Sequence, residues 1–220
     1  MTQRFHEQLD ELKQKLLAMS YDVEGLVERA VALALGKSDE TPDDILGDDA
    51  DVDATEVEVE ESCIELLALH QPMATDLRVL VAILKINSDL ERVGDHAGNI
   101  AGCIRRLRSA GSNPPIPPEL EEMGHLAREM LRDALDAFVR LDAETANELG
   151  ARDDRVDALE DSIFRIMLTH MPEHDISACL QVLLIARNIE RIADLATNIG
   201  EDVVYMVHGR TVRHGAGQNL

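Results

Sequence analysis

The sequence predicts an all-α protein made of two tandem antiparallel three-helix bundles that are related by an internal repeat. The first observation is that residues 76–104 and 175–203 align without a gap, with Glu-Arg, Asp and Asn-Ile at matching positions. The second is that apolar residues in both stretches recur at helical rather than alternating spacing. The third is the composition, which is 45% hydrophobic but only 2% aromatic and therefore favours closely packed aliphatic helices.

Three helices are predicted in the first repeat, residues 1–111. Apolar residues at gaps of three and four predict a helix over 2–38. Thr41-Pro42 followed by two aspartates is typical of a helix start, because threonine caps the helix and proline suits its first position. That second helix is expected to run to Leu69, and Gln71-Pro72 separates it from a third helix over 75–108.

Residues 112–118 form a proline-rich linker between the halves, since prolines at this density keep the chain extended. The helical pattern then restarts in a second repeat, residues 119–209. Its helices are predicted over 119–150, 153–168 and 175–208. Residues 210–220 are polar and contain glycine, so we expect a flexible tail.

The charge of the chain excludes several classes of function. Lys and Arg number 21 against 43 Asp and Glu, giving a net charge of −22. Binding to nucleic acid or to an anionic lipid surface requires the opposite sign. There is no secretion signal and no membrane-spanning apolar run, so we expect no direct membrane insertion. Cys63, Cys103 and Cys179 stand far apart, which indicates buried free thiols in a reducing cytosol.

Each repeat carries two acidic pairs at a spacing of four residues, which places both members on one face of a helix. Because consecutive helices are antiparallel neighbours, the pairs are expected to meet at facing ends of each bundle. The candidate site residues are Asp49, Asp53, Glu91 and Asp95 in the first repeat and Asp153, Asp157, Glu190 and Asp194 in the second.

Converging carboxylates repel one another unless they are protonated, solvated or bound to a cation. Oxygen donors suit Mg, Ca, Mn or Fe ions. The alternative is a solvated acidic face with ion pairs to Arg92 and Arg191. Asn99 and Asn198 follow one turn later and either add carbonyl oxygens to the clusters or form hydrogen bonds between helices.

The residues resemble those of a known family. The segments DLRVLVAILKINSDLERVGDHAGNIA and NIERIADLATNIGEDVVYMVHG are similar to the PhoU family, as are MSYDVEGLVERAVALAL, HQPMATDLR and DAFVRLD. The resemblance covers residues 5–209. The second copy departs at Ser177, which replaces Arg78, and at the alanine before Asp194, and neither change touches the carboxylates.

The resemblance implies a cytoplasmic, non-enzymatic negative regulator of the phosphate-starvation response. Such proteins act with the ATPase subunit of the phosphate ABC transporter and with a sensor histidine kinase, and these partners would hold the protein at the inner face of the membrane. Family members bind divalent or iron-type metal clusters through E/D-x-x-x-D motifs, which correspond here to the eight acids named above. The sequence leaves open whether the chain forms a homo-oligomer.

Two other functions compete with a metal-binding regulator. A metal-free scaffold would use the acidic ends to dock basic surfaces of its partners. A ferritin-like diiron protein requires two Glu-x-x-His pairs, and only Glu122 and His125 match that spacing. His96 follows Asp95 but points about 100° away around the helix, so we expect a surface residue rather than a ligand. No catalytic motif is present.

Overall fold

Six α-helices account for nearly all of residues 3–209, the part of the chain that the computed structural model describes. They are α1 (Gln3–Ala34), α2 (Pro42–His70), α3 (Thr75–Ser109), α4 (Pro118–Arg140), α5 (Ala143–His170) and α6 (Ile176–His208). No β-strand occurs within these described residues, so the predicted all-α class is confirmed. The tail predicted over 210–220 lies outside them.

The start of α2 has the predicted capping arrangement. Thr41 Oγ1 accepts a hydrogen bond from the Asp44 backbone N–H at 3.3 Å, and Asp44 Oδ2 accepts one from the Thr41 N–H at 2.9 Å. Pro42 occupies the first turn, where no N–H donor is needed. These contacts satisfy groups that the helix cannot satisfy itself, and they fix where α2 begins.

The predicted boundary between the fourth and fifth helices is wrong. The break falls at Leu141, which is left-handed with φ 56°, and not after Gly150. Asp142 then caps α5 by accepting hydrogen bonds from two backbone N–H groups, including that of Thr145 at 3.1 Å. This capping starts α5 well before Asp153, and Gly150 remains inside the helix with open space around it.

Helices α2, α3, α6 and α5 lie side by side, in that order, as one layer. On one side of the layer α1 packs against α2 and α3, while α4 packs against α5 and α6. The most extensive helix contact joins α3 to α6, and α1 also touches α4, so the two three-helix repeats share one core.

Helices α3 and α6 cross antiparallel, and polar side chains bridge the two repeats along their contact. The bridging pairs are Lys85–Asp202 at 2.7 Å, His96–Asn188 at 2.9 Å and Arg106–Gln181 at 2.8 Å. His96 was predicted to be a surface residue, but it is half-buried because α6 covers that side of α3. The prediction could not include this contact, since the pairing of the two repeats is not visible in a single helix pattern.

The core is aliphatic, as the composition predicts. All three cysteines are free and buried, which agrees with the sequence. Burial is the main cause that raises the pKa of the Cys63 thiol to about 12, so this thiol is inert at neutral pH. Among the described helices, none is both long and apolar enough to cross a membrane.

Candidate functional site: the two acidic clusters

The first cluster forms where Asp49 of α2 reaches the surface of α3. A Cβ atom placed on Gly94 would lie 2.9 Å from Asp49 Oδ1, and one placed on Gly98 would lie 2.8 Å from Asp49 Oδ2. The carboxylate therefore occupies space that only glycine leaves open at these two positions. Asp49 Oδ1 is buried and has no hydrogen-bond partner among the described residues.

The other predicted acids of the first repeat lie close enough to Asp49 to interact with it. Burial first, and then the charges of Asp53 and Asp95, raise the pKa of Asp49 to about 6. The pKa of Glu91 is also raised, by burial and then by the same two aspartates. The cluster sits along the middle of α3 and not at a bundle end as expected, because α3 continues from Asp95 to Ser109.

A fifth acid, Glu56, belongs to this cluster and was not singled out from the sequence. Its pKa is raised by burial and then by Glu60 and Asp53. Buried Asn87 donates to its carboxylate at 3.2 Å and to its backbone carbonyl at 2.9 Å, which fixes it against α3. Glu56 and Glu160 occupy equivalent positions in the two repeats, and this is the sequence pattern that points to them as members of the clusters.

No cation of the protein neutralises the first cluster within residues 3–209. Arg92, predicted to support the site, donates instead to Asp89 on its own helix at 3.1 Å. None of the four predicted acids forms an ion pair with lysine or arginine in this part of the chain. The cluster is consequently a concentration of unbalanced negative charge.

The second cluster repeats this arrangement between α5 and α6. Asp153 has a pKa raised to about 6 by burial and then by Asp194 and Asp157, and its Oδ1 is buried without a hydrogen-bond partner in the described chain. Glu190 is only 6% exposed. Burial and the charge of Asp194 raise its pKa to about 7, and the neighbouring arginines act in the opposite direction.

Unlike the first cluster, the second is partly neutralised by its own arginines. Arg187 lies 3.2 Å from carboxylate oxygens of both Glu160 and Glu190. Arg191 lies 2.7 Å from Asp194 and 3.5 Å from Glu190. Ser88 stands at the repeat position of Arg187 in the first half, so that half lacks this cation. The expected ion pairs are thus found for Arg191 but not for Arg92.

The remaining candidates sit beside the clusters. Asn99 is exposed and Asn198 is half-buried. Thr197 occupies the repeat position of Gly98, and its hydroxyl group is buried without a hydrogen-bond partner in the described residues. The two clusters therefore contain equivalent acidic residues but differ in the residues around them.

The clusters contain oxygen atoms that suit a metal ion, but these atoms are not arranged as a complete set of ligands. Carboxylate oxygens fit a hard cation. Asp49 Oδ1 in the first cluster, and Asp153 Oδ1 and Glu190 Oε2 in the second, are buried without a hydrogen-bond partner among the described residues. Within residues 3–209, however, no three His, Cys, Asp or Glu side chains are arranged as a preformed metal site. Binding a cation would require side chains to turn inward.

The Glu-x-x-His pair of the ferritin-like alternative lies elsewhere. Glu122 accepts a hydrogen bond from Arg155 Nε at 3.1 Å, and His125 Nδ1 lies 3.4 Å from Glu129. These residues line an exposed cleft of about 490 Å³ beside α4, away from both acidic clusters. Nothing in this arrangement favours a diiron site.

The fold and its clusters define a class: all-helical proteins built from two copies of a three-helix unit, each with acids facing one another across its last two helices. The family model described as "PhoU domain" matches this chain twice, over residues 16–104 and 120–203. The chain belongs to the PhoU family.

Relatives match over nearly the whole chain. A phosphate-specific transport system accessory protein PhoU homolog from Pseudomonas putida is 37% identical over 216 residues, covering 97% of this chain and 84% of the relative. The accessory protein PhoU of Escherichia coli K12 is 33% identical over 220 residues, covering 99% and 90%.

Solved structures agree with the fold. The crystal structure of PhoU from Pseudomonas aeruginosa matches with a TM-score of 0.88 and 34% identity, covering 94% of this chain and 100% of that one. The phosphate transport system regulatory protein PhoU from Streptococcus pneumoniae matches with a TM-score of 0.86 and 32% identity, covering 94% and 99%.

Proposed function

We propose that the protein is a cytoplasmic, non-enzymatic negative regulator of the phosphate-starvation response. The observation that carries this proposal is similarity along both repeats to proteins named as accessory or regulatory components of phosphate transport. The proposed partners are the ATPase subunit of the phosphate ABC transporter and a sensor histidine kinase. The net charge of −22 suits contact with basic surfaces on such partners.

A starvation-response reporter tests the regulatory role. Deletion of the gene is expected to switch the reporter on in phosphate-rich medium, and a wild-type copy is expected to switch it off again. A reporter that stays silent after deletion would reject the role. Pull-down of the transporter ATPase and the kinase at high and low phosphate tests the partners separately.

We also propose that the acidic clusters bind hard cations, divalent or iron-type, through Asp49, Asp53, Glu91 and Asp95 and through Asp153, Asp157, Glu190 and Asp194. The raised pKa values of Asp49, Asp153 and Glu190 support this. Burial and then repulsion between carboxylates raise them, and a bound cation would stabilise the charged form against both. The first cluster is the better site, since no arginine occupies it.

Calorimetric titration of chelator-treated protein with Mn²⁺ tests the site. Asp49→Asn with Glu91→Gln is expected to remove the tighter binding, whereas the matched Asp153→Asn with Glu190→Gln is expected to remove only the weaker binding. Unchanged isotherms in both variants would reject the clusters as the binding sites.

A metal-free scaffold is the second candidate function. It is favoured by the arginines that already neutralise part of the second cluster, Arg187 and Arg191. Protein purified without metal-affinity resin distinguishes the two. Less than one metal ion per chain, together with no response to Mn²⁺, would favour the scaffold.

A further inference from the structure

Five large apolar side chains lie exposed in a group beside the second acidic cluster. We call them the apolar strip: Phe164 and Leu168 on α5, and Ile176, Leu180 and Leu184 on α6. Each is between 45% and 59% exposed. A group of large apolar side chains exposed on one surface indicates an interaction site.

The Glu160–Arg187 ion pair shows that the two helices present these residues on the same side. It joins α5 to α6 at 3.2 Å. Phe164 lies one turn beyond Glu160 on α5, and Leu184 lies about one turn before Arg187 on α6. The apolar side chains therefore continue directly from the ion pair toward the α5–α6 turn, and the three on α6 repeat every four residues.

The surroundings of the apolar strip are acidic. At one end lie Glu160 and Glu190, both paired with Arg187, together with Asp157 and Asp194 of the second cluster. Exposed Glu173 and Asp175 lie at the other end, in a chain whose net charge is −22. A second copy of this chain would bring the same acidic surface against it, and an anionic lipid surface would be repelled in the same way. Charge complementarity favours a cationic occupant.

We propose that the apolar strip docks an amphipathic helix of a partner protein, with aliphatic side chains against the strip and lysines or arginines against the surrounding carboxylates. Apolar anchors spaced along one helix face are how such helices are held in grooves. The inference rests on the proposed function only in that a regulator must bind a partner.

Within residues 3–209 the first repeat does not reproduce the whole strip, so we expect one helix to bind per chain. Glu60 and Lys85 stand at the repeat positions of Phe164 and Leu184 and place charges where the strip is apolar. Lys85 is moreover engaged with Asp202. At the matching end the first repeat keeps four exposed apolar residues, Ile64, Leu69, Met73 and Leu77. Ile64 and Leu77 stand at the repeat positions of Leu168 and Ile176 and provide a matched control.

Fluorescence anisotropy tests the proposal with three labelled synthetic peptides and the full-length protein in EDTA: an amphipathic Leu/Lys helix, its scrambled sequence and a Leu/Glu version. The Leu/Lys helix is expected to bind saturably at one per chain, and the other two are not. Leu180→Gln with Leu184→Gln is expected to weaken binding on the order of tenfold or more, since it removes two central anchors. Ile64→Gln with Leu77→Gln is expected to leave the affinity unchanged.

Three results would overturn the proposal. The first is equal affinity for the scrambled peptide, which would mean attraction to bulk charge alone. The second is an unchanged affinity in the Leu180/Leu184 variant, provided that circular dichroism shows both variants folded. The third is a concentration-dependent dimer of the wild type that this variant abolishes, which would assign the strip to a second copy. Failed peptide binding with an intact reporter response would reject only the strip, and the reverse would reject only the regulatory role.

Discussion

The ammonium group of Lys85 lies 2.7 Å from Asp202 Oδ1, and this ion pair joins α3 of the first repeat to α6 of the second. Asp202 is only 2% exposed, whereas the Lys85 side chain is 40% exposed and also lies 5.2 Å from the centre of the Tyr205 ring. The repeat positions are apolar, with Leu184 for Lys85 and Cys103 for Asp202. This ion pair therefore has no counterpart at the equivalent positions of the repeat.

Replacing Lys85 by methionine is expected to destabilise the protein by about 1–3 kcal/mol, because Asp202 keeps its charge in a buried position without the lysine. The measurement is urea denaturation at pH 7. Adding Asp202→Asn to the same chain removes that charge and is expected to recover most of the loss. Equal stability of Lys85→Met and wild type would show that the ion pair contributes nothing.

The acidic clusters predict how the stability of the metal-free protein depends on pH. Asp49, Asp153 and Glu190 have pKa values of about 6, 6 and 7 in the folded state, above their ordinary values of 3.8, 3.8 and 4.5. A group with a raised pKa holds its proton more tightly when folded. The contribution of such a group to the free energy of unfolding is full below about pH 4 and is lost as the pH rises through the pKa of the folded state.

The free energy of unfolding is therefore expected to fall as the pH rises from about 4 to about 7, and urea denaturation in EDTA measures it. Asp49→Asn is expected to flatten this dependence and to raise stability at pH 8 on the order of 1 kcal/mol, allowing for solvent screening. Asp44 and Asp142, whose pKa values are lowered by hydrogen bonds at helix starts, act only below this window. Stability that rises over the same range would contradict the pKa shifts.

Gly98→Ala is expected to weaken cation binding at the first cluster without unfolding it. The new Cβ would lie 2.8 Å from Asp49 Oδ2, so the carboxylate must move away, but it is the end of a movable side chain. The higher helix propensity of alanine offsets part of that cost, so stability should stay within about 1 kcal/mol. Mn²⁺ titration and thermal unfolding measure the two effects. Gly102→Ala on the same helix, with only the Arg106 side chain within 4 Å, is the control.

Replacing each of two glycines in the second repeat by alanine is expected to change stability in opposite directions. At Gly200 a Cβ would lie 2.9 Å from the backbone carbonyl oxygen of Ala146 and 2.7 Å from Leu149 Cδ1, so α5 and α6 would have to separate. We expect destabilisation of about 1–3 kcal/mol. At Gly150 nothing lies within 4 Å, and alanine is expected to stabilise the helix by about 0.5–1 kcal/mol. Thermal melting of both variants checks the close approach of α5 to α6.

Helical periodicity and capping residues were sufficient to predict the all-α class, the repeat and most helix ends. Thr41 caps α2 as the sequence predicts, and α6 begins at Ile176, one residue after its predicted start at Asp175. The predicted end of the fourth helix is wrong because Gly150 is typical of a helix stop, whereas Asp142 already caps α5 and an exposed glycine inside a helix costs only about 1 kcal/mol.

The sequence also identified the acids that face one another, because a spacing of four residues on antiparallel helices brings them together. It could not show that Arg92 turns to Asp89 while Arg187 reaches Glu160 and Glu190. Long side chains choose among several partners, and that choice depends on neighbours from other helices. The difference in charge between the clusters therefore became visible only in three dimensions.

The contact between α3 and α6 has a consequence for the two halves of the chain. Each half alone would expose the helix wall that the other half covers, so a separated half would be expected to pair with a second copy of itself. The intact chain then resembles a dimer whose two halves are joined by a short run of prolines. Because the halves are joined, each can carry residues that the other lacks.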